Sequence, residues 1–245
     1  MFPLLLSLVM GPGCVSAKRA QKSAVRTELG YAYFNEGSTE LAIETLQDAT
    51  DLDRRNPAAW HYLALSLVKR GAHEDAEEAF KRAIRLDPED AAIRLNYAYL
   101  LQKLGRNAEA IEQLEVARKD LTYTQPAKVL NNLGMAYLAE GRTDESVAAL
   151  SEAVYRQPNF CAARYNLGLA LSEAQQAARS VDVLDELQLV CPDAFPEGEL
   201  LRGNMLITMG RMEEGAMVLQ LTADKYPGTP VSAQALSSLD AAGMR

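Results

Sequence analysis

Histidine is nearly absent from this 245-residue chain, which holds only His61 and His73, and cysteine occurs only at Cys14, Cys161 and Cys191. Neither the number nor the spacing suits a structural zinc site, which takes four ligands, mostly in close pairs, so no metal is expected. Positive charge is in deficit: 25 Lys and Arg stand against 33 Asp and Glu, a net charge of −8. A nucleic-acid reader needs a basic face to displace counterions from phosphates, so no nucleic-acid partner is expected. No apolar run approaches the ~20 residues of a membrane-spanning helix. There is no phosphate-cradling glycine loop or dinucleotide fingerprint, and neither histidine has Ser, Cys or carboxylate companions at an informative spacing. The chain therefore reads as a non-enzyme with no catalytic residue, no cofactor and no small-molecule substrate. What remains is 48% hydrophobic and 24% charged, a composition that supports a packed core.

The first residues have the grammar of an export signal. Phe2 to Met10 reads FPLLLSLVM, and Gly11-Pro12-Gly13 leads directly into Cys14. A short apolar core, small residues and a cleavage point follow the order of a signal peptide. With Cys at the cleavage point, the segment resembles a bacterial lipobox, although no Lys or Arg precedes the apolar run and Gly11 stands where Leu is usual. That resemblance implies a signal peptide at 1–13 and a lipid, palmitate included, on Cys14. Residues 14–22 (CVSAKRAQK) then read as a tether. Val15 takes the place of the Asp that typically retains lipoproteins in the inner membrane. The resemblance thus implies the outer membrane, with the folded body in the periplasm.

The rest of the chain repeats itself. Gly30, Ala64, Ala98, Gly134, Gly168 and Gly203 form one row, with steps of 34, 34, 36, 34 and 35 residues. Ala42, Ala76, Ala110, Ser146, Ser180 and Gly215 form a second; Leu46, Phe80, Leu114, Leu150, Leu184 and Leu219 a third; Ala49, Ala83, Ala117, Ala153, Leu187 and Thr222 a fourth. Pro88, Pro158, Pro192 and Pro227 close four of the units. The pattern resembles the tetratricopeptide repeat, whose period is about 34 residues. Six units follow, at 23–56, 57–90, 91–126, 127–160, 161–195 and 196–229, with a capping helix and tail at 230–245. The expected fold is all-α, a tetratricopeptide-repeat superhelix of helix-turn-helix units. In each unit small residues admit close helix approach, and the large third row fills the gap to the next unit. Gly37, Gly71, Gly105, Gly141 and Gly210 supply the turn between helices, because glycine adopts the left-handed conformation that ends a helix. Repeat five holds Gln175 in that row, so its turn is expected to differ.

In such folds positions 5, 9 and 12 of a unit commonly face a concave groove. That places Tyr31, Phe34, Leu65, Val68, Leu95, Tyr99, Met135, Leu138, Tyr165 and Leu169 on the wall. His61 falls there too. A wall this apolar marks a partner site; the alternative is that curvature packs some of these residues. Asn96, Asn132 and Asn166 share position 6 of repeats three to five. Amides there either hold the backbone of an extended peptide or bridge neighbouring helices. Cys161 starts the first helix of repeat five and Cys191 ends the second. Antiparallel helices bring those ends together, as a disulfide or as two buried thiols.

An exported lipoprotein of six such repeats resembles the type IV pilus pilotins, outer-membrane lipoproteins that promote secretin assembly. The resemblance implies secretin subunits of the type IV pilus as partners, a membrane contact through the lipid on Cys14, and a part in pilus-dependent gliding motility. The alternatives are a general periplasmic scaffold, for polysaccharide export or outer-membrane protein insertion, and a regulatory subunit of an envelope enzyme.

Overall fold

The computed structural model describes residues 12–244, and within them every regular element is a helix. The expected signal peptide lies, up to residue 11, outside the described residues, as do the side chains of residues 12–15, Cys14 among them. The chain divides into two compact units. The first, up to Leu104, contains α1 (Pro12–Glu36), α2 (Thr39–Leu52), α3 (Pro57–Arg70), α4 (His73–Leu86) and α5 (Ala91–Lys103). The second, from Gly105, contains α6 (Asn107–Ala117), α7 (Pro126–Ala139), α8 (Thr143–Arg156), α9 (Cys161–Glu173), α10 (Ala177–Val190), α11 (Pro196–Thr208), α12 (Met212–Lys225) and α13 (Pro230–Ala241). The division falls inside the third repeat of the sequence count, with its first helix in one unit and its second in the other. Residues 14–22, expected as a tether, are helical and continuous with the first helix of repeat one.

The rows explain why the helices pair. A Cβ placed on Gly134 would lie 2.5 Å from Leu150 Cγ, and one on Gly30 would lie 2.5 Å from Leu46 Cγ. The third-row leucine therefore sits on the first-row glycine of its own repeat, filling the space a side chain would take. It also reaches onward. Leu150 is buried against Leu167, Ala170 and Leu171 of α9, so one side chain closes both the pair and the stack. The second row lies inside the pair: Ala76, Ser146 and Ser180 are fully buried, and Ser180 donates a hydrogen bond to the Gly168 carbonyl at 2.8 Å. No repeat buries its apolar face alone. At the end of the chain α13 covers that face, placing Ala235 and Leu239 against Leu219 and Ala223 of α12.

A second device, in repeats two, three and five, ties the preceding loop to the helix that follows. Position 4 of a repeat reaches back six residues to a loop carbonyl: Trp60 Nε1 to Arg54 O at 3.1 Å, Arg94 Nε to Pro88 O at 2.7 Å, and Arg164 Nη2 to Pro158 O at 2.7 Å. Trp and Arg are interchangeable in these three repeats because each presents an N–H donor at the end of a long side chain; repeats four and six hold Leu130 and Glu199 there.

The turn of repeat five corrects the expectation drawn from Gln175. Its φ is 58°, left-handed like the glycines at the same offset. Its amide donates to Ser172 O, and the next amide to Leu171 O, at 3.0 and 2.9 Å. Gly141 and Arg142 make the same two bonds to Leu138 and Tyr137. The paired helices impose the turn, and Gln175 bears the steric cost of its Cβ. Gln175→Gly should therefore stabilise the protein by about 1 kcal/mol, seen as a rise of roughly 2–4 °C in melting midpoint. No change would mean that Gln175 is unstrained.

Candidate functional site

The candidate site is, in each unit, the exposed side of the first helices of the repeats. In the first unit α1, α3 and α5 present Tyr31 and Tyr99, 41% and 51% exposed, with half-buried Phe34, Leu65 and Val68. Lys69 Nζ stands 5.2 Å from the Phe34 ring centre and Lys103 Nζ 5.8 Å from that of Tyr99. These aromatics thus carry a cation over one face. Leu95 does not belong to this surface. It is 7% exposed, because it stands one turn from both Ala91 and Ala98 on the buried side of α5.

Behind the wall an aromatic file runs inward. Tyr31 stacks on Tyr62 at 4.5 Å, Tyr62 on His61 at 5.2 Å, and Phe80 lies tilted to His61 at 6.1 Å and to Tyr97 at 5.6 Å. His61 is buried rather than ligand-facing. Asn96 Nδ2 lies 2.8 Å from His61 Nε2. An amide nitrogen only donates, so Nε2 is the unprotonated ring nitrogen. Burial drives the His61 pKa down to about 4, and the Asp90 charge offsets this only in part.

The sign follows. Because the folded pKa lies below the ordinary 6.5, the unfolded chain takes up the proton first, and stability falls as pH drops from 6.5 towards 4. Urea unfolding at pH 7.5 and 4.5 should show a loss roughly 2–3 kcal/mol larger in wild type than in His61→Gln, which keeps an acceptor for Asn96. Equal losses would remove His61 from the account.

In the second unit α7 and α9 present half-buried Met135, Leu138 and Leu169. Tyr165 is packed rather than free: it stacks on Phe195 at 5.3 Å, and a Cβ on Gly198 of α11 would come within 3.6 Å of its ring. Burial, then the Glu197 charge, raises its phenol pKa. Asn96 and Asn166 bridge helices, whereas Asn132 bonds its neighbour within α7. Asn166 Nδ2 donates to Asn131 Oδ1 at 2.8 Å, and Asn131 Nδ2 donates to Asn132 Oδ1 at 3.2 Å. Asn96 to His61 and Asn166 to Asn131 are one device, in which position 6 reaches back 35 residues to position 5 of the preceding repeat. Of the two roles open to these amides, Asn96 and Asn166 take the structural one.

Cys161 and Cys191 form a disulfide with Cα atoms 6.1 Å apart, joining the start of α9 to the end of α10. Cys191 is buried with Leu184 and Leu187, and Cys161, Tyr165, Phe195 and Leu201 pack against them. Tyr62 and Phe195 belong to the aromatic contacts although no row of like residues marks them. Tyr62 was legible in principle, since it occupies the position-6 row that holds asparagine in later repeats.

Tetratricopeptide-repeat family models match residues 27–91 and 131–199, and a further one matches residues 67–122. The chain belongs to the tetratricopeptide repeat family. Among curated proteins it is similar to the human protein O-mannosyl-transferase TMTC3, 26% identical over 208 residues, which are 80% of this chain and 22% of that protein. It is also similar to the type IV pilus assembly protein PilF of Pseudomonas aeruginosa, 26% identical over 171 residues, 63% of this chain and 68% of PilF. The chain spans only about a fifth of the length of the human transferase. Among solved structures, PilW, a widely conserved type IV pilus biogenesis factor, matches with a TM-score of 0.79 and 23% identity over 87% of this chain and 98% of PilW. P. aeruginosa PilF matches with 0.78 and 20% identity over 90% and 99%. These likenesses establish a shared tetratricopeptide-repeat fold. Among the described residues no cluster of His, Cys, Asp or Glu is arranged to hold a metal ion, and no helix is long and apolar enough to cross a membrane.

Proposed function

We propose that the chain is a non-enzymatic interaction protein of type IV pilus biogenesis, anchored by lipid on Cys14 to the periplasmic face of the outer membrane, where it promotes assembly of the pilus secretin. The observation that carries the reading is the match to PilW and PilF over 98% and 99% of their solved chains. Other repeat arrays are covered as fully but fit less closely: MamA matches over 98% of its chain with a TM-score of 0.59 and 75% of this chain, against 0.79 and 87% for PilW. Among pilotins, the six units, the size and the lipobox-like Cys14 are most like Tgl, the myxobacterial lipoprotein of pilus-driven social gliding. In this reading the exposed wall residues hold a segment of a secretin subunit until it joins its neighbours. Large aromatic and aliphatic surface suits that task, because it binds without demanding one sequence.

The test is a chromosomal Cys14→Ser substitution beside a full deletion, with secretin multimers resolved from monomers and palmitate incorporation followed in parallel. Loss of multimers with monomers retained in the deletion supports the function, and loss of label in Cys14→Ser supports the anchor. Normal multimers in the deletion strain would reject the pilus role.

A further inference from the structure

The stretch of α1 that follows the proposed anchor carries Lys18, Arg19, Lys22 and Arg26, with no acidic residue before Glu28. At 100° per residue these four cations share an arc of about 100°. Gly30, Ser23 and Thr27, which adjoin the Arg19 edge of this arc, are buried against the repeat, so the Lys18 edge faces away from it. Every residue from Ser16 to Lys22 is exposed, so this stretch of helix contributes little to the core. Val25, 60% exposed, lies at the Lys18 edge of the cationic arc, and Leu29, 38% exposed, lies within it between Lys18 and Lys22. Lys18, Lys22 and Arg26 line one surface depression together with Val25 and with Leu52 of α2, and no carboxylate lines it. Arg19 and Arg26 also border a second depression, which Asp48 and Asp51 enter from α2. The unneutralised charge thus lies on the Lys18–Lys22 side.

We propose that this face of α1 is a docking surface for a bilayer carrying anionic phospholipid headgroups. Cations beside exposed aliphatic side chains are the pattern of a helix lying in the membrane interface, and long Lys and Arg stems can lie along apolar surface while their heads reach phosphate. Charge decides the occupant. In a chain of net charge −8, a local excess of cations orients that end of the molecule towards an anionic surface. The inference rests on the proposed anchor, because lipid on Cys14, four residues before Lys18 in the same helix, would bring this face to the membrane.

The test uses the full chain bearing Cys14→Ser, so that no lipid contributes, sedimented with phosphatidylcholine vesicles with and without phosphatidylglycerol. The expected result is at least tenfold greater partitioning onto the anionic vesicles, reduced by salt. The triple variant Lys18→Gln/Lys22→Gln/Arg26→Gln should lose roughly fivefold per cation removed. Circular dichroism should leave that variant as helical as its parent, since the three side chains are exposed. Equal partitioning onto both vesicles, or a triple variant that binds as its parent does, would overturn the proposal. Palmitate labelling of the unmodified chain decides the anchor separately, so a labelled chain without headgroup preference would reject this surface and leave the anchor standing.

Discussion

Removing the Cys161–Cys191 bridge should lower the stability of the second unit by about 3–4 kcal/mol, the chain-entropy effect of opening a loop of this length. The bridge spans 30 residues and ties the start of α9 to the end of α10. The effect should be regional. In a linear array each repeat is held by its neighbours, and Cys191 lies in a buried cluster with Leu184 and Leu187 into which Tyr165, Phe195 and Leu201 pack. Loss of the bridge frees the α10–α11 connection, so α11 to α13 should loosen first. Hydrogen exchange under reducing conditions should rise there and stay unchanged in α2 to α4. The melting midpoint should fall by about 10 °C at roughly 2–4 °C per kcal/mol. The double variant Cys161→Ala/Cys191→Ala should behave as the reduced protein does. Coincident melts with and without reductant would show that packing alone holds these helices.

The repeat architecture was legible because each row of the sequence answers one steric demand. Glycine or alanine faces a leucine in the same pair: Gly134 has no room for a Cβ against Leu150, so the row cannot drift. The site was less legible, for a geometric reason. Positions counted to one face lie at its edge, and whether an edge residue is covered depends on what packs beside it. Leu95 shares its side of α5 with Ala91 and Ala98 and is buried. Tyr165, at the same position of repeat five, is covered by Phe195 from the loop before α11. Asn96 and Asn166 turn to partners 35 residues earlier, His61 and Asn131, which share no residue type and so form no visible row. Gln175 broke a row of glycines without breaking the turn, because the two helices impose its φ of 58°.

The exposed wall yields the other large effect. On the proposed function, in which the wall holds a secretin segment, Tyr99→Glu should lower affinity for a secretin subunit at least about a hundredfold, because aromatic anchors dominate interface energetics, with ~2–4 kcal/mol lost on truncation, and a carboxylate buried against an apolar partner goes unpaired. The fold should be untouched. Tyr99 is 51% exposed, and its ring stands near Lys103, four residues on in α5. Glu at 99 followed by Lys at 103 is the favourable order for a helical ion pair, so the free protein gains a compensating contact. Leu95→Glu is the contrasting control. That side chain is 7% exposed, and a charge there should unfold the first unit rather than act on binding. In the second unit Met135→Glu tests the half-buried wall of α7 in the same way. Calorimetric titration with purified secretin subunits, beside circular dichroism of each variant, separates the outcomes. Intact helicity with lost binding in Tyr99→Glu places the partner on the first helices. Undiminished binding in both Tyr99→Glu and Met135→Glu would exclude these walls and move the contact to the second helices, where Tyr155 and Leu189 stand 85% and 83% exposed at equivalent positions of repeats four and five.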